Sequence, residues 1–132
     1  MRLFLDTNIL IDFLANRQPH AKYAKLIFVG VANHTYELFT SNNSVTTCYY
    51  LLEKETNVDT AKKAILNLLN YLQIVNVTKE ILVQAVRSDF GEFEDGVQYF
   101  SAVTIDNITA FITRNKRDFK TALIPILSGE EL

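Results

Sequence analysis

The sequence predicts an α/β fold with a central, mostly parallel five-stranded sheet, and three observations lead to that prediction. Short apolar segments typical of strands alternate with longer segments of helical spacing, which is the pattern of parallel β-α-β units. The 132 residues are 48% apolar and 21% charged, a mix that suits a buried core and not a disordered chain. With only 4 Gly and 2 Pro, the chain has no linker-like stretch, so residues 1–132 are predicted to form one domain.

Five segments are predicted as strands because they are short, apolar or β-branched, and bounded by polar or turn-forming residues. They are Arg2–Leu5, Tyr36–Thr40, Gln73–Val77, Ala110–Ile112 and Ile124–Ile126. The last segment surrounds Pro125, which has no N–H for a sheet ladder, and is therefore predicted at an edge. Ligand sites of such folds lie at the carboxyl ends of the strands, so the residues that follow each strand are the first functional candidates.

The intervening segments are predicted as helices from apolar residues three and four positions apart and from polar capping residues. The predicted helix starts are, in order, Thr7 or Asn8, Pro19, Val45, Asp59, Thr78, Asp95 and a capping box over Ser128–Glu131. Asp12, four residues after Asn8, is predicted on the exposed face of the first helix. The resulting order is β-α-α-β-α-α-β-α-α-β-β-α.

Composition excludes several classes of protein. A net charge of −2 excludes a strongly basic nucleic-acid-binding tail, although local patches can still bind nucleic acid. The single cysteine, Cys48, excludes an internal disulfide framework and a thiolate zinc cluster, and is predicted to be a buried apolar residue. The N-terminus does not resemble a signal peptide and no apolar run could span a membrane, so the expected location is the cytoplasm.

Acidic side chains stand where this fold places its ligand sites. Asp6 directly follows the first strand, Asp95 opens a helix beside Glu94, and Asp118 belongs to the segment after the Ala110–Ile112 strand. Carboxylates that converge repel one another unless a cation lies between them. Oxygen ligands with open positions suit Mg²⁺ or Mn²⁺, ions that assist phosphoryl transfer by activating water.

Three segments resemble the motifs of the PIN domain family. They are Leu3-Phe-Leu-Asp6-Thr7-Asn8-Ile-Leu-Ile-Asp12, Asp89-Phe-Gly-Glu-Phe-Glu94-Asp95-Gly-Val-Gln-Tyr99 and Thr113-Arg-Asn115-Lys-Arg-Asp118-Phe119. Asn16–His20 is similar to one branch of the family, and the resemblance covers essentially the whole chain. It implies a three-layer α/β/α fold, an acidic pocket for Mg²⁺ or Mn²⁺, and cleavage of RNA. Many small bacterial members are toxins paired with a small antitoxin protein, and a homodimer is expected.

The resemblance assigns roles to individual residues. Asp6 matches the first acid of the family and Asp95 the third. The last acid falls on Asn115 here, so Asp118, three residues further, is the predicted substitute. These three acids are the predicted catalytic residues, and together with Glu94 they are the predicted metal ligands. The residues predicted to orient the ligands or the substrate are Thr7, Asn8, Thr47, Thr113 and Asn115.

The second acid of the family is missing, because its position falls on Thr47. Glu53 lies six residues further along the same helix, about 240° around the axis from Thr47, and is predicted to face elsewhere. Glu94 is the predicted replacement. With one carboxylate fewer, the pocket is expected to bind its metal weakly.

Charge is unevenly distributed along the chain. Four of the 13 basic residues fall within seven positions, and these predicted RNA-binding residues are Arg114, Lys116, Arg117 and Lys120. Four of the 15 acids fall within residues 89–95. In a PIN-like fold both segments border one cleft, and an acidic metal pocket rimmed by cations is what RNA cleavage requires.

The predicted function is therefore that of a divalent-metal-dependent endoribonuclease, of the kind that serves as the toxin of a toxin–antitoxin pair. Two alternatives remain open at the level of sequence. A weakly active or inactive PIN-like module could bind RNA or a protein partner through the same cleft, which the absence of the second Glu favours. A phosphatase of the haloacid dehalogenase type needs a second Asp two residues after the first, and Asn8 occupies that position.

Overall fold

The computed structural model describes all of residues 1–132 and contains a five-stranded, fully parallel sheet. The strands are β1 (Arg2–Leu5), β2 (Glu37–Ser41), β3 (Leu72–Val75), β4 (Ala110–Ile112) and β5 (Ile126–Leu127). Their order across the sheet is β3-β2-β1-β4-β5. The first strand is thus central, and the chain crosses over it after β3, so the ends of β1 and β4 lie side by side. Leu5 of β1 is in register with Ile112 of β4.

Six α-helices connect the strands: α1 (Thr7–Leu14), α2 (Ala21–Ala32), α3 (Asn42–Glu55), α4 (Val58–Leu69), α5 (Lys79–Arg87) and α6 (Phe93–Ala102). Two short 3-10 turns, Lys116–Phe119 and Gly129–Glu131, complete the elements. No helix is both long enough and apolar enough to cross a membrane.

The alternation of side chains along β1 and β4 divides the core between the two faces of the sheet. Leu3 and Leu5 point to the face covered by α1–α4, where they join a cluster of 14 buried apolar residues that includes Ile112. Phe4 and Phe111 point to the other face, where they pack with Tyr99 of α6 and with Phe119. Strands that are apolar on both faces require helices on both sides, which gives three layers.

The predicted α/β fold with three layers is confirmed, and the predicted bounds of β1 and β4 are confirmed to the residue. The edge position of the last strand is also confirmed, although that strand is Ile126–Leu127 and begins after Pro125. Cys48 is fully buried, as expected for a small apolar residue.

Four predicted helix starts were wrong. The helix α2 begins at Ala21, two residues after the predicted Pro19. The helix α3 begins at Asn42, because Ser41 Oγ accepts a hydrogen bond from the backbone N–H of Ser44 at 3.0 Å and caps the helix. Asn57, rather than Asp59, caps α4 through the backbone N–H of Thr60. The helix α6 begins at Phe93, so Asp95 is its third residue. An acid in the first turn of a helix is favoured by the helix dipole without serving as its cap, and this applies to Asp59 and Asp95.

Candidate active site

Asp6 lies at the carboxyl end of β1, and both its backbone and its side chain form hydrogen bonds. Its backbone N–H donates to the carbonyl of Ile112 at 2.9 Å, and its side chain caps α1 by accepting from the N–H of Thr7 at 2.8 Å. The second carboxylate oxygen, Oδ2, accepts from the hydroxyl of Thr113 at 2.8 Å. Only 6% of the residue is exposed. The position of this acid is therefore fixed by the pairing of β1 with β4.

Thr113, the first residue after β4, joins the segments that follow the two central strands. Besides donating to Asp6, its hydroxyl oxygen accepts from the Asn8 side-chain amide at 3.3 Å and from the backbone N–H of Asn115 at 3.1 Å. Asn8 in turn accepts from the backbone N–H of Arg114 at 3.3 Å. Asn8 and Thr113 thus contact the acid or its neighbours, in keeping with the orienting roles predicted for them.

A buried polar network on the other side of Asp6 was not predicted. Gln98 of α6 is fully buried, accepts from the Ser41 hydroxyl at 2.6 Å and donates to the Ser44 hydroxyl. The Ser44 and Thr7 hydroxyls are 2.8 Å apart and share a hydrogen bond. The Gln98 side chain also favours the ionised form of Asp6 and so lowers its pKa. The available signal was spacing, because Gln98 lies one helical turn after Asp95 and therefore on the same side of α6.

An acidic cleft of about 280 Å³ opens beside Asp6 at the carboxyl end of the sheet. It is lined by residues from the ends of β1 and β4, from α3 and from the start of α6, among them Asp6, Thr7, Asn8, Arg17, Thr47, Glu94, Asp95 and Asn115. Thr47 therefore faces the cleft, as predicted for the position of the missing Glu, and Glu53 is not among the lining residues. Asp118 does not line the cleft either, but its charge acts on Asp6 and Asp95.

The acids of the cleft hinder one another's ionisation. Partial burial raises the pKa of Asp95 to about 6, and the negative charges of Asp6, Asp118 and other nearby acids add to the rise. Partial desolvation and the charge of Asp6 also raise the pKa of Glu94. Burial raises the pKa of Asp6, and the hydrogen bonds from Thr113 and Thr7 oppose that rise. Negative charge in the cleft is thus not balanced by nearby positive charge.

The donor chemistry of the cleft fits a hard divalent cation. Its side-chain donors are carboxylate, amide and hydroxyl oxygens, which Mg²⁺ and Mn²⁺ prefer. No group of three or more His, Cys, Asp and Glu side chains is placed so that it could hold a metal ion by itself. Mg²⁺ usually keeps several waters and takes only one or two carboxylates together with substrate oxygens, so a closed protein cage is not required.

The four basic residues after β4 divide into two pairs. Arg114 forms a two-pronged ion pair with Asp12, with Nε–Oδ2 at 2.6 Å and a second nitrogen–oxygen contact at 3.2 Å. Lys116 pairs with Glu131 at 2.7 Å, and this contact lowers the pKa of Glu131 to about 2. Arg117 and Lys120 are exposed and form no ion pair. Arg117 and Lys120 can therefore bind a ligand without breaking an ion pair within the protein.

The prediction that Asp12 lies on an exposed helix face was wrong. The residue is 1% exposed, because the segment after β4 folds across α1 and the Arg114 guanidinium covers the carboxylate. Helical spacing alone could not reveal this pairing, since the covering residue lies 102 positions away. Arg17, for which no role was predicted, lines the cleft and pairs with Glu55 at 3.1 Å.

The parallel sheet in the order 3-2-1-4-5 and the acids at its carboxyl end define the class of protein. The sequence matches the PIN domain family over residues 2–117, and the chain belongs to that family. The matched range covers every predicted catalytic and orienting residue except Asp118. The resemblance deduced from the sequence motifs is thereby confirmed.

Individual relatives are similar to the chain over nearly its whole length. Ribonuclease VapC1 of Aquifex aeolicus is 28% identical over 138 residues, covering 98% of this chain and 92% of the relative. Among solved structures, a DNA-bound VapBC complex of Salmonella typhimurium contains a chain with a TM-score of 0.72 at 15% identity, covering 98% of both chains. VapC20 of Mycobacterium tuberculosis, a sarcin–ricin loop cleaving toxin, has a TM-score of 0.65 at 21% identity, covering 83% of this chain and 86% of that one. At these identities the structures support the fold alone.

Proposed function

We propose that this protein is a divalent-metal-dependent endoribonuclease that acts as the toxin of a toxin–antitoxin pair. The observation that carries the proposal is that Asp6, Glu94 and Asp95 line one cleft of a PIN domain, where burial and the charge of neighbouring acids raise their pKa values. Acids that raise one another's pKa are held together at a cost in stability, which a bound cation offsets. The name of the Aquifex relative, a ribonuclease, supports the same reaction class.

In this proposal Asp6, Asp95 and Glu94 would hold the metal in the cleft, and Asp118, which does not line the cleft, would add negative charge nearby. When bound, Mg²⁺ or Mn²⁺ would activate a water and neutralise charge on the phosphate that is attacked. Thr113 and Gln98 keep the Asp6 carboxylate in one orientation, a role that commonly accounts for a ten- to hundredfold difference in metal affinity or activity. Asn115 would add an amide oxygen at the rim.

The free basic residues provide the proposed path for the RNA backbone. Arg117 and Lys120 are exposed and form no ion pair, whereas Arg114 and Lys116 are held by acids. Each phosphate that a cation neutralises makes binding more sensitive to salt, with a slope of roughly 0.7 per phosphate on single strands. We therefore assign phosphate contacts first to Arg117 and Lys120.

The toxin role supposes a protein partner. The similar chains of Salmonella typhimurium and Haemophilus influenzae come from VapBC complexes, and the Klebsiella pneumoniae chain from a toxin–antitoxin complex. By analogy, this chain is proposed to bind a small antitoxin protein and to form a homodimer. The pairing predicts a small reading frame beside the gene for this chain, whose product co-purifies with it after co-expression and capture through one partner only.

Cleavage of labelled single-stranded RNA is the direct test of the enzyme. We expect cleavage with Mn²⁺ or Mg²⁺, none with a chelator, and a loss on the order of 1,000-fold in Asp6→Asn, since the metal supplies several kcal/mol of charge stabilisation. Asp106→Asn is the matched control, because Asp106 is an exposed acid in the turn before β4, at the opposite end of the sheet. Equal activity of the parent and Asp6→Asn would refute the proposal.

Thr47 favours one second candidate, a PIN module that binds RNA or a partner without cutting. The residue lines the cleft where the family usually has a Glu, so the metal loses one carboxylate. The two functions differ in one measurement. A binding module would retain RNA in the presence of Mn²⁺ without producing fragments, and its melting temperature would not rise with Mn²⁺.

A further inference from the structure

A second cleft of about 590 Å³ lies directly beside the acidic cleft, on the side of α5 and α6. We call it the side cleft, and it is defined by Asn42, Asn43, Thr47, Leu82, Phe93 and Glu94. Thr47 and Glu94 line both clefts, so the two clefts adjoin one another. A ligand whose reacting group occupies the acidic cleft therefore has the side cleft next to it.

The side cleft presents an unusual amount of exposed apolar surface. Phe93 is 50% exposed and Leu82 is 41% exposed, although both belong to helices that bury other side chains. Phe93 has no ring-stacking partner within the protein. An open aromatic ring next to a reaction site offers a flat surface on which a nucleobase can stack.

The polar groups of the side cleft suit the edge of a base better than a phosphate. The Asn42 amide oxygen accepts from the backbone N–H of Val77 at 3.2 Å, which fixes that side chain and leaves its NH₂ group without an internal acceptor. Asn43 and Thr47 make no side-chain hydrogen bond within the protein. No Lys or Arg lines the side cleft, and Glu94 would repel a phosphate. Amide donors and acceptors without cations match a neutral, planar ligand.

We propose that the side cleft binds one unpaired nucleobase of the RNA, stacked on Phe93, next to the phosphate that is cleaved. This inference rests on the proposed ribonuclease function and adds to it a determinant of sequence preference. The cleft volume lies within the roughly 300–1,000 Å³ of ordinary small-molecule sites. The amide groups of Asn42 and Asn43 lie where they can distinguish one base from another.

Binding of short single-stranded RNA, measured by fluorescence anisotropy in a chelator so that nothing is cleaved, tests the proposal. Oligonucleotides that carry one abasic position, moved along the strand, show which base is bound. We expect one abasic position to weaken binding about tenfold, in line with the loss of one aromatic stack. Phe93→Ala should weaken binding of the intact strand by the same factor and remove the abasic penalty, while Phe93→Tyr should restore both.

Tyr50→Ala is the matched control, since Tyr50 is an exposed aromatic of α3, 64% accessible, that lines neither cleft. An abasic penalty that persists in Phe93→Ala would overturn the proposal, as would intact-strand binding equal to that of the parent. A parent that binds with the abasic penalty but never cleaves would refute the ribonuclease and leave the base site standing.

Discussion

The two walls of the acidic cleft are built in opposite ways. The wall that carries Asp6 is buried, and each oxygen of its carboxylate accepts a hydrogen bond from Thr7 or Thr113. The wall that carries Glu94 and Asp95 is more open to solvent, and neither carboxylate has a hydrogen-bond partner in the protein. We refer to these as the fixed wall and the open wall.

The basic residues after β4 also differ in how firmly they are held. Arg114 is held against the fixed wall by the buried Asp12, whereas Arg117 and Lys120 stand free. The comparison suggests that one acid is positioned in advance and that the others adjust around the ligand. Removing a single contact from the fixed wall should therefore lower stability and activity. Substitutions in the open wall should cost little stability, but a change of charge there should alter metal affinity.

The largest effect on stability is expected from breaking the ion pair behind the fixed wall. Arg114→Ala leaves the Asp12 carboxylate buried without its partner, and we expect a loss of about 2–4 kcal/mol in the free energy of unfolding, since the Arg end is partly exposed. Urea denaturation measures this loss. Arg117→Ala removes an exposed arginine three residues further and should unfold at the parent's midpoint. Equal midpoints for the two variants would contradict the claim that Arg114, unlike Arg117, stabilises the fold through an ion pair.

A smaller change within the fixed wall should affect both stability and activity. Thr113→Val keeps the shape of the side chain but removes the donor to Asp6, so we expect a loss of about 1–2 kcal/mol in stability. Because the orientation of Asp6 is then less restricted, RNA cleavage should fall about ten- to hundredfold. Thr113→Ser keeps the hydroxyl and should recover most of the activity. A Val variant as active as the parent would show that this hydrogen bond does not position the acid.

The sequence predicted the fixed wall in part, and the reason is local. Asp6 and Thr113 each follow directly after an apolar strand, and parallel pairing brings such residues to the same edge of the sheet. The motifs of the PIN family then supplied Asp95, which no local pattern distinguishes from an ordinary acid in the first turn of a helix. Thr47 could be placed as well, because the family pattern aligned on Ser41 and on residues 49–52 puts its Glu at that position.

The parts that could not be predicted depend on contacts between distant segments. Asp12 is buried only because Arg114 folds across it, and nothing in the spacing of α1 indicates that cover. Gln98 and Ser41 meet across 57 positions, so neither residue alone suggests a network. Two of the four predicted RNA-binding cations are paired with acids for the same reason, and their assignment to RNA stays a prediction.

An added carboxylate in the cleft should increase its affinity for Mn²⁺. Thr47→Glu restores a carboxylate at the position that faces the cleft, and we expect Mn²⁺ to bind about tenfold more tightly, equivalent to about 1.4 kcal/mol. Most of the Coulomb gain is cancelled because the carboxylate must be desolvated. Calorimetric titration with Mn²⁺ measures the change, and Asn67→Glu, at an exposed position of α4 that lines neither cleft, is the control. Unchanged affinity would mean that Glu94 already supplies the charge.

The smallest expected effect is a pH dependence that originates at the open wall. Because the pKa of Asp95 is about 6 in the folded protein and about 4 when unfolded, the folded state binds the proton more tightly. Stability from this group is therefore complete below about pH 4 and is lost as the pH rises through about 6. The raised pKa values of Asp6 and Glu94 act in the same direction. The lowered pKa of Glu131 acts with the opposite sign: its contribution to stability is lost as the pH falls from about 4.5 to about 2, at and below the lower end of this range.

We therefore expect the melting temperature of the metal-free protein to fall modestly between pH 4 and 6 and then to level off. Asp95→Asn should flatten that decline, because its side chain carries no charge at any pH in the range. Mn²⁺ should reverse the decline above pH 6 by binding the ionised carboxylates, and it should do so less in Asp95→Asn. Scanning calorimetry across this range provides the measurement. A melting temperature that rises with pH would show that the acids of the open wall do not hinder one another, and the charge argument for a cation would fail with it.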